Sequence, residues 1–297
     1  MASLVIRAMA SAGQWQLSHK KPTHACICAG RRSAKLPLRA ALDWAGHDPA
    51  DAAVNPARRP LTTLGDPMTL TVHHLETSRS QRILWLLEEL GLPYALRVYP
   101  RDPKTRLAPP ELKAIHPLGK SPVITDGNGV VAESGAIIEY LVECHGAQAP
   151  AELAHLEPAR GTPEHRECRF WMHYAEGSLM NWLVMKLVFD TIARQPMPFF
   201  VRPIARGLCA KVQQKLIAPN VQTALAFMDA HLARNPWFAG KHLTMADFQM
   251  SFAVEAALAR SGDESAWPHL LAYRERMRAR PAYQRALQKG GPVVMRS

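Results

Sequence analysis

The 297-residue chain has no apolar run long enough to cross a membrane and no regular pattern of cysteines. A transmembrane helix needs about 18 or more consecutive apolar residues, so we predict no membrane partner. Cys26 and Cys28 are separated by one residue, and the other cysteines, Cys144, Cys168 and Cys209, are scattered. This spacing fits neither a disulfide framework nor a metal site. We therefore predict a reducing, cytoplasmic compartment and no bound metal.

Acidic residues are scarce relative to basic ones. The chain has 36 Lys and Arg against 25 Asp and Glu, a formal net charge of +11. Such an excess is compatible with binding to nucleic acid or to an anionic surface. However, residues 1–67 hold nine of the basic and four of the acidic side chains, and no basic run is interleaved with aromatic residues. We therefore predict no nucleic-acid partner and a mildly basic surface that attracts small anions.

The first 66 residues lack a sustained helical or strand period, and no acidic residue precedes Asp43. Three interpretations are open: an organelle-targeting peptide, a disordered tail, or a start assigned too early, with translation beginning at Met68. Met68 immediately precedes the first clear strand pattern, which favours the third. Residues 1–67 are accordingly predicted to be a disordered leader or a mis-assigned start.

From Met68 onward, short strand patterns alternate with helical ones. Strands are predicted at 69–75, at 94–100 and on both sides of the turn 126–129; helices are predicted at 80–90, 109–115 and 134–145. The first two strands should be parallel because a helix connects them. This order predicts a compact α/β domain over residues 68–146.

The remainder of the chain has helical periodicity. A Pro- and Ala-rich connection, residues 147–160, leads to a long helix that begins at Pro163 and continues to about residue 194, since proline suits the first turn of a helix. Further helices are predicted at 200–216, 219–234, 245–260 and 268–279. We predict an all-helical domain over residues 160–290.

Three hydroxyl side chains, Thr77, Ser78 and Ser80, lie where the first strand leads into the first helix. One interpretation is helix capping, because such side chains bond unpaired amide groups at helix starts. The other is that a hydroxyl donates a hydrogen bond to a ligand thiolate. A free thiol has a pKa near 8.5, which hydroxyl donors and a helix N-terminus lower. The residue pattern leaves both interpretations open.

A loop that contains Lys120, Ser121 and Pro122 precedes the third predicted strand. Proline at this point is usually part of an ordinary turn. A cis Ser121–Pro122 bond, however, would expose the backbone N–H and C=O of Ser121, so that an extended peptide could pair with them as an added strand. Lys120 would then lie beside a ligand carboxylate.

Glu133 and Ser134 stand at the start of the third predicted helix. Ser134 suits a helix N-cap, so capping alone could explain it. A helix N-terminus also attracts a carboxylate, and Glu133 could hold an ammonium group. Together the two residues suit the α-amino-acid end of a γ-glutamyl peptide.

The long helix carries Trp171, Tyr174, Ser178 and Trp182 at spacings of three and four, which places them on one side. Core packing is one interpretation, and an apolar pocket wall for a hydrophobic electrophile is the other. Farther along, Thr244 and Asp247 have the spacing of a capping box, which we interpret as structural.

Five segments occur in the order and at the spacing found in glutathione transferases: LETSRSQRILWLLEELGLPY, HPLGKSPV, AESGAIIEYL, LTMADF and RMRARPAYQRAL. Over residues 69–288 the chain resembles this family, in detail its bacterial and fungal branch with the SRSQR turn. The resemblance implies a thioredoxin-like N-terminal domain, an all-α C-terminal domain, a homodimer, and glutathione as cosubstrate in a detoxifying conjugation.

The resemblance also assigns roles to individual residues. The thiol-activating position falls at Thr77, five residues before Arg82, with Ser78 as the neighbouring candidate. The predicted glutathione contacts are Lys120, Ser121, Pro122, Glu133 and Ser134. Tyr174 is predicted to line the electrophile pocket.

The thiol-activating position holds neither Tyr nor Cys. The absence of Cys argues against chemistry through a mixed disulfide. The expected function is attack by the glutathione thiolate on a hydrophobic electrophile. A glutathione-dependent peroxidase or dehalogenase, or a non-catalytic binding protein of the same fold, is the alternative.

Overall fold

The computed structural model describes residues 70–103, 105 and 107–293. The predicted leader, residues 1–67, lies outside them, so its assignment stays a prediction. Within the described range the chain has a thioredoxin-like domain followed by a helical one.

Four strands form the sheet of the first domain, in the order β2-β1-β3-β4. They are β1 (Thr71–Leu75), β2 (Ala95–Tyr99), β3 (Val123–Asp126) and β4 (Gly129–Ala132). β1 pairs with β2 in parallel, as predicted, and β3 pairs with β1 and β4 in antiparallel fashion. The connection β1–β2 is parallel because helix α1 (Gln81–Leu90) crosses over between them.

Helices cover the sheet and close the core of this domain. α1 buries Ile83, Leu84 and Leu87 completely and ends at Gly91, whose φ of 66° forms the left-handed cap that glycine adopts without steric cost. The other helices are α2 (Glu111–Ile115) and α3 (Ser134–His145).

The predicted long helix of the second domain is continuous from Pro163 to Arg194. It consists of α4 (Pro163–Tyr174), a π-helical turn (Ala175–Leu179) and α5 (Met180–Arg194). The hydroxyl of Thr162 caps its start by accepting from the amide of His165.

The predicted separation between helices at 200–216 and 219–234 is wrong. α6 (Arg202–Val212) passes through a second π-helical turn (Gln213–Ile217) directly into α7 (Ala218–Leu232). Pro219 does not break the helix, because it is the second residue of α7, just beyond the π turn, where its ring does not crowd the carbonyl of a regular preceding turn.

Three helices complete the fold: α8 (Met245–Leu258), α9 (Pro268–Arg278) and α10 (Pro281–Gly290). The last individual helix predicted ends at residue 279, so α10 was missed within the predicted helical domain. Pro281 stands at its first position, where the missing N–H costs no intrahelical bond.

Two glutamates of α1 bind the C-terminal helix to the first domain. The Glu88 carboxylate accepts hydrogen bonds from Arg285 Nε at 2.8 Å and from Lys289 Nζ, as well as from Tyr94 Oη at 2.7 Å. Its neighbour Glu89 pairs with Arg280. Burial opposes ionisation of Glu88, but the hydrogen bonds from Lys289, Arg285 and Tyr94 outweigh it and hold the pKa of its carboxyl below the ordinary value.

We expect Glu88→Gln to lower the free energy of unfolding at pH 7 by about 1–2 kcal/mol, since both cations are half exposed. A carboxyl with a lowered folded-state pKa contributes stability above its ordinary pKa of about 4.3, and this contribution is lost as the pH falls through the folded-state value. The difference between wild type and variant, measured by urea denaturation, should therefore shrink below about pH 4. Glu139→Gln, which breaks an exposed pair with Arg169, should cost far less. If Glu88→Gln lowered the free energy of unfolding equally at pH 7 and below about pH 4, this account would be contradicted.

Candidate functional site

The structure gathers the five predicted glutathione contacts around one cleft of about 200 Å³. The loop before β3 and the start of α3 supply most of its wall, and the turn before α1, the end of β4 and the first π-helical turn supply the rest. The lining residues are Arg79, His116, Leu118, Lys120, Ser121, Pro122, Ala132, Glu133, Ser134 and Glu176.

The Ser121–Pro122 bond is cis. The Ser121 hydroxyl donates to the carbonyl of His73 at 2.9 Å and accepts from the amide of Leu75 at 3.1 Å, which ties the loop to β1. No described residue hydrogen-bonds the backbone N–H or C=O of Ser121. These two backbone groups are therefore available to a peptide.

Ser134 is the first residue of α3, and Glu133, with φ 74°, takes the cap position. The suggestion that Ser134 is the N-cap is therefore wrong. Its hydroxyl instead accepts a hydrogen bond from Arg82 Nη1 at 3.1 Å. Because a guanidinium only donates, the Ser134 hydroxyl keeps its own proton for a carboxylate in the cleft.

Arg82 and Glu176 form a charged pair behind this cleft that sequence reasoning missed. Arg82 Nη1 lies 2.7 Å from Glu176 Oε1 and also donates to Gln249 Oε1 at 3.0 Å. Arg79 approaches the same carboxylate, with its Nε 3.0 Å from Oε2. Burial lowers the pKa of Arg82 to about 10 against the opposing effect of Glu176, so the guanidinium is still charged at neutral pH.

The two candidate catalytic residues, Thr77 and Ser78, lie in the turn between β1 and α1 and differ in their hydrogen bonds. Thr77 has a φ of 51° and is half-buried, and its hydroxyl makes no hydrogen bond with any described residue. Arg101 fixes the turn by donating to the carbonyls of Glu76 and Thr77, at 2.9 and 3.3 Å. Ser78 is buried, and its Oγ lies 2.7 Å from Ser80 Oγ. Neither Thr77 nor Ser78 is among the residues that line the cleft.

The Ser78 hydroxyl belongs to a chain of hydrogen bonds that runs through Ser80 and His74 to Gly290. His74 Nε2 lies 2.8 Å from the carbonyl of Gly290, and His74 Nδ1 lies 2.7 Å from Ser80 Oγ. Burial lowers the pKa of His74, so the ring is neutral and carries its proton on Nε2, since a carbonyl can only accept. Ser80 must then donate to Nδ1, and Ser78 must donate to Ser80.

Glycine at 290 permits the close approach on which this chain depends. A Cβ at that position would lie 2.5 Å from Cδ1 of Leu84 and 3.1 Å from Cε1 of His74. The end of α10 therefore reaches the start of α1 only because residue 290 has no side chain.

Tyr174 lies apart from this cleft. Its ring packs against Phe170, Trp171 and Phe227, with centroid distances of 5.1 to 5.8 Å. It lines a second cavity of about 660 Å³, whose walls share no residue with the first. Trp171 is fully buried in the core.

Thr244 and Asp247 form the capping box predicted at the start of α8. The Asp247 carboxylate accepts from the amides of Thr244 and Phe238, at 2.8 and 2.9 Å.

Within the described part of the chain, no group of three or more His, Cys, Asp or Glu residues is placed to hold a metal ion. No helix there is both long enough and apolar enough to span a bilayer.

Two family models match the sequence: the glutathione S-transferase N-terminal domain at residues 78–144 and the C-terminal domain at 188–281. The chain is 35% identical to glutathione S-transferase 3 of Schizosaccharomyces pombe, over 74% of this chain and 87% of the relative. It is 32% identical to glutathione S-transferase 1 of Saccharomyces cerevisiae, over 64% and 82% respectively. A glutathione S-transferase structure from Actinobacillus pleuropneumoniae matches with a TM-score of 0.59 at 30% identity, covering 74% of this chain and 92% of that one.

Proposed function

Because the chain belongs to the glutathione S-transferase family, we propose that it stabilises the thiolate of bound glutathione for attack on a hydrophobic electrophile. The observation that carries this proposal is the convergence of Lys120, Ser121, Pro122, Glu133 and Ser134 on one cleft. A homodimer and a cytoplasmic location, both usual in the family, belong to the same proposal.

The cleft suits the charges of glutathione, which has two carboxylates and one ammonium group. The Ser134 hydroxyl and the N-terminus of α3 bind the γ-glutamyl carboxylate, and Glu133 binds the ammonium. Lys120 binds the glycine carboxylate. Arg79 and Lys120 line the cleft and Arg82 lies behind it, so three cations stand against the two glutamates Glu133 and Glu176, which favours a ligand of net negative charge.

The peptide backbone lies along the loop before β3. The N–H and C=O of Ser121 pair with the cysteine residue of glutathione, as an added strand pairs with a sheet edge. This pairing places the thiol near the start of α1, where the partial positive charge of the helix N-terminus favours a thiolate.

Thr77 donates the activating hydrogen bond, since its hydroxyl is free whereas that of Ser78 is committed to Ser80. The thiol proton leaves to solvent. The thiolate then forms a new carbon–sulfur bond with the electrophile, and a leaving group departs with the electron pair of its bond to carbon. Tyr174 lines the second cavity and not the cleft, so in this proposal it contacts only a part of the electrophile that extends beyond the cleft.

Glutathione binding tests the proposal. We expect Lys120→Ala and Ser134→Ala each to weaken binding about tenfold, because each removes a charge-assisted contact. Isothermal titration with glutathione measures the loss, and Lys241→Ala, an exposed lysine outside the cleft, is the matched control. Unchanged affinity in both cleft variants would contradict the assigned site.

Turnover separates the alternatives. Conjugation of a chromogenic aryl halide supports the transferase, whereas turnover only of peroxides or of haloalkanes supports a peroxidase or a dehalogenase. Binding of glutathione without turnover of any electrophile supports a non-catalytic binding protein.

A further inference from the structure

The tip of the hairpin formed by α5 and α6 exposes large apolar side chains to solvent. The exposed fractions are 84% for Phe199, 63% for Phe200, 73% for Ile204 and 63% for Leu208. The two phenylalanine rings meet edge to face at 5.6 Å, so they do not cover each other. Isolated apolar residues are normal on a surface, but a cluster of this kind marks a site of interaction.

The same segment is basic and contains no acid. Between Asp190 and Asp229 the chain has no aspartate or glutamate, and it holds five basic residues. These are Arg194, Arg202, Arg206, Lys211 and Lys215. All five are exposed, and none forms an ion pair with a described residue. Elsewhere along the helical domain, acids and bases are mixed.

We propose that this hairpin tip, residues 194–215, docks on the surface of an anionic lipid bilayer. Exposed phenylalanines beside uncompensated cations suit an interface at which apolar side chains enter the acyl boundary and cations meet lipid phosphates. A second copy of the chain is the poorer occupant, because a two-fold contact would bring two identical positive patches together. Residues 1–67 carry a net positive charge as well.

This docking departs from the sequence-based prediction of no membrane partner, which rested on the lack of a spanning segment. Docking at the bilayer surface does not require a membrane-spanning segment. It is also independent of the glutathione chemistry, although it would place the enzyme where hydrophobic electrophiles concentrate.

Sedimentation of the full-length protein with vesicles tests the proposal. We expect binding to phosphatidylcholine vesicles that contain about 30% phosphatidylserine, weakened by salt, and at least tenfold weaker binding to pure phosphatidylcholine. Phe199→Ser/Phe200→Ser and Arg202→Gln/Arg206→Gln should each lower the affinity for anionic vesicles about tenfold or more.

Matched controls are Leu107→Ser, an exposed apolar residue of the first domain, and Arg160→Gln/Arg234→Gln, two exposed cations outside the tip. Both should bind anionic vesicles as wild type does. Every variant should keep its thermal midpoint and its affinity for glutathione, which shows that the fold is intact. The proposal is overturned if the wild-type protein does not bind anionic vesicles or binds neutral vesicles equally well. It is also overturned if either tip variant keeps the wild-type affinity for anionic vesicles. A fall in oligomer mass by light scattering in the tip variants would assign the patch to a second copy instead.

Discussion

Thr77→Val should raise the pKa of the enzyme-bound glutathione thiol by about one to two units. The variant removes the free hydroxyl but keeps the branched shape of the side chain. A hydrogen bond to a charged group contributes about 1.5–3 kcal/mol, which corresponds to a shift of that size. Conjugation near neutral pH should fall by about tenfold to hundredfold, because less of the bound thiol is ionised. Ultraviolet absorbance of the thiolate, followed against pH, measures the pKa directly.

Ser78→Ala is the matched control for this result. The proton of Ser78 is directed at Ser80, whose own proton is directed at His74, so removal of the Ser78 hydroxyl should change the thiol pKa little. The opposite outcome, a raised pKa in Ser78→Ala and none in Thr77→Val, would transfer the role to Ser78. If the double variant Thr77→Ala/Ser78→Ala leaves the pKa unchanged, neither hydroxyl activates the thiol.

The second large effect concerns stability. Asp247→Ala should lower the free energy of unfolding by about 3 kcal/mol or more, as measured by urea denaturation. Its fully buried carboxyl accepts from the amides of Phe238 and Thr244 and from the hydroxyl of Thr244. Without it, two buried N–H groups lose their partners, each at about 1–3 kcal/mol, and helix α8 loses its cap.

Two further variants serve as comparisons for the loss of unfolding free energy in Asp247→Ala. Burial raises the pKa of Asp247 to about 7, so the site tolerates a neutral side chain. The amide oxygen of Asn can still accept a hydrogen bond, and Asp247→Asn should therefore cost less than Asp247→Ala. Asp263→Ala removes an exposed carboxylate that accepts from the amide of Ser265 and should cost far less, because water replaces that bond. A loss from Asp247→Ala no larger than that from Asp263→Ala would refute the structural role.

Local patterns in the chain were sufficient to predict a compact α/β domain, and the family resemblance identified it as thioredoxin-like. The order of strands and helices along the chain, the parallel pairing of β1 and β2, and the end of helix α1 at Gly91 agree with the structure. Periodicity, caps and turns act within a few residues, so a linear pattern carries them. The same reasoning failed between residues 216 and 219, where the predicted break between two helices does not exist, and at α10, where Pro281 begins a helix that was not predicted.

The sequence by itself determined five of the ten residues that line the cleft, because those five belong to short motifs at strand and helix ends. Only the tertiary structure decided how they are held. Arg79 reaches Glu176 across 97 positions, and His74 reaches Gly290 across 216. It also placed Tyr174 in a separate cavity and left Thr77 with the free hydroxyl. Such outcomes depend on how whole helices pack against one another, and side-chain pairing over those distances leaves no local pattern along the chain.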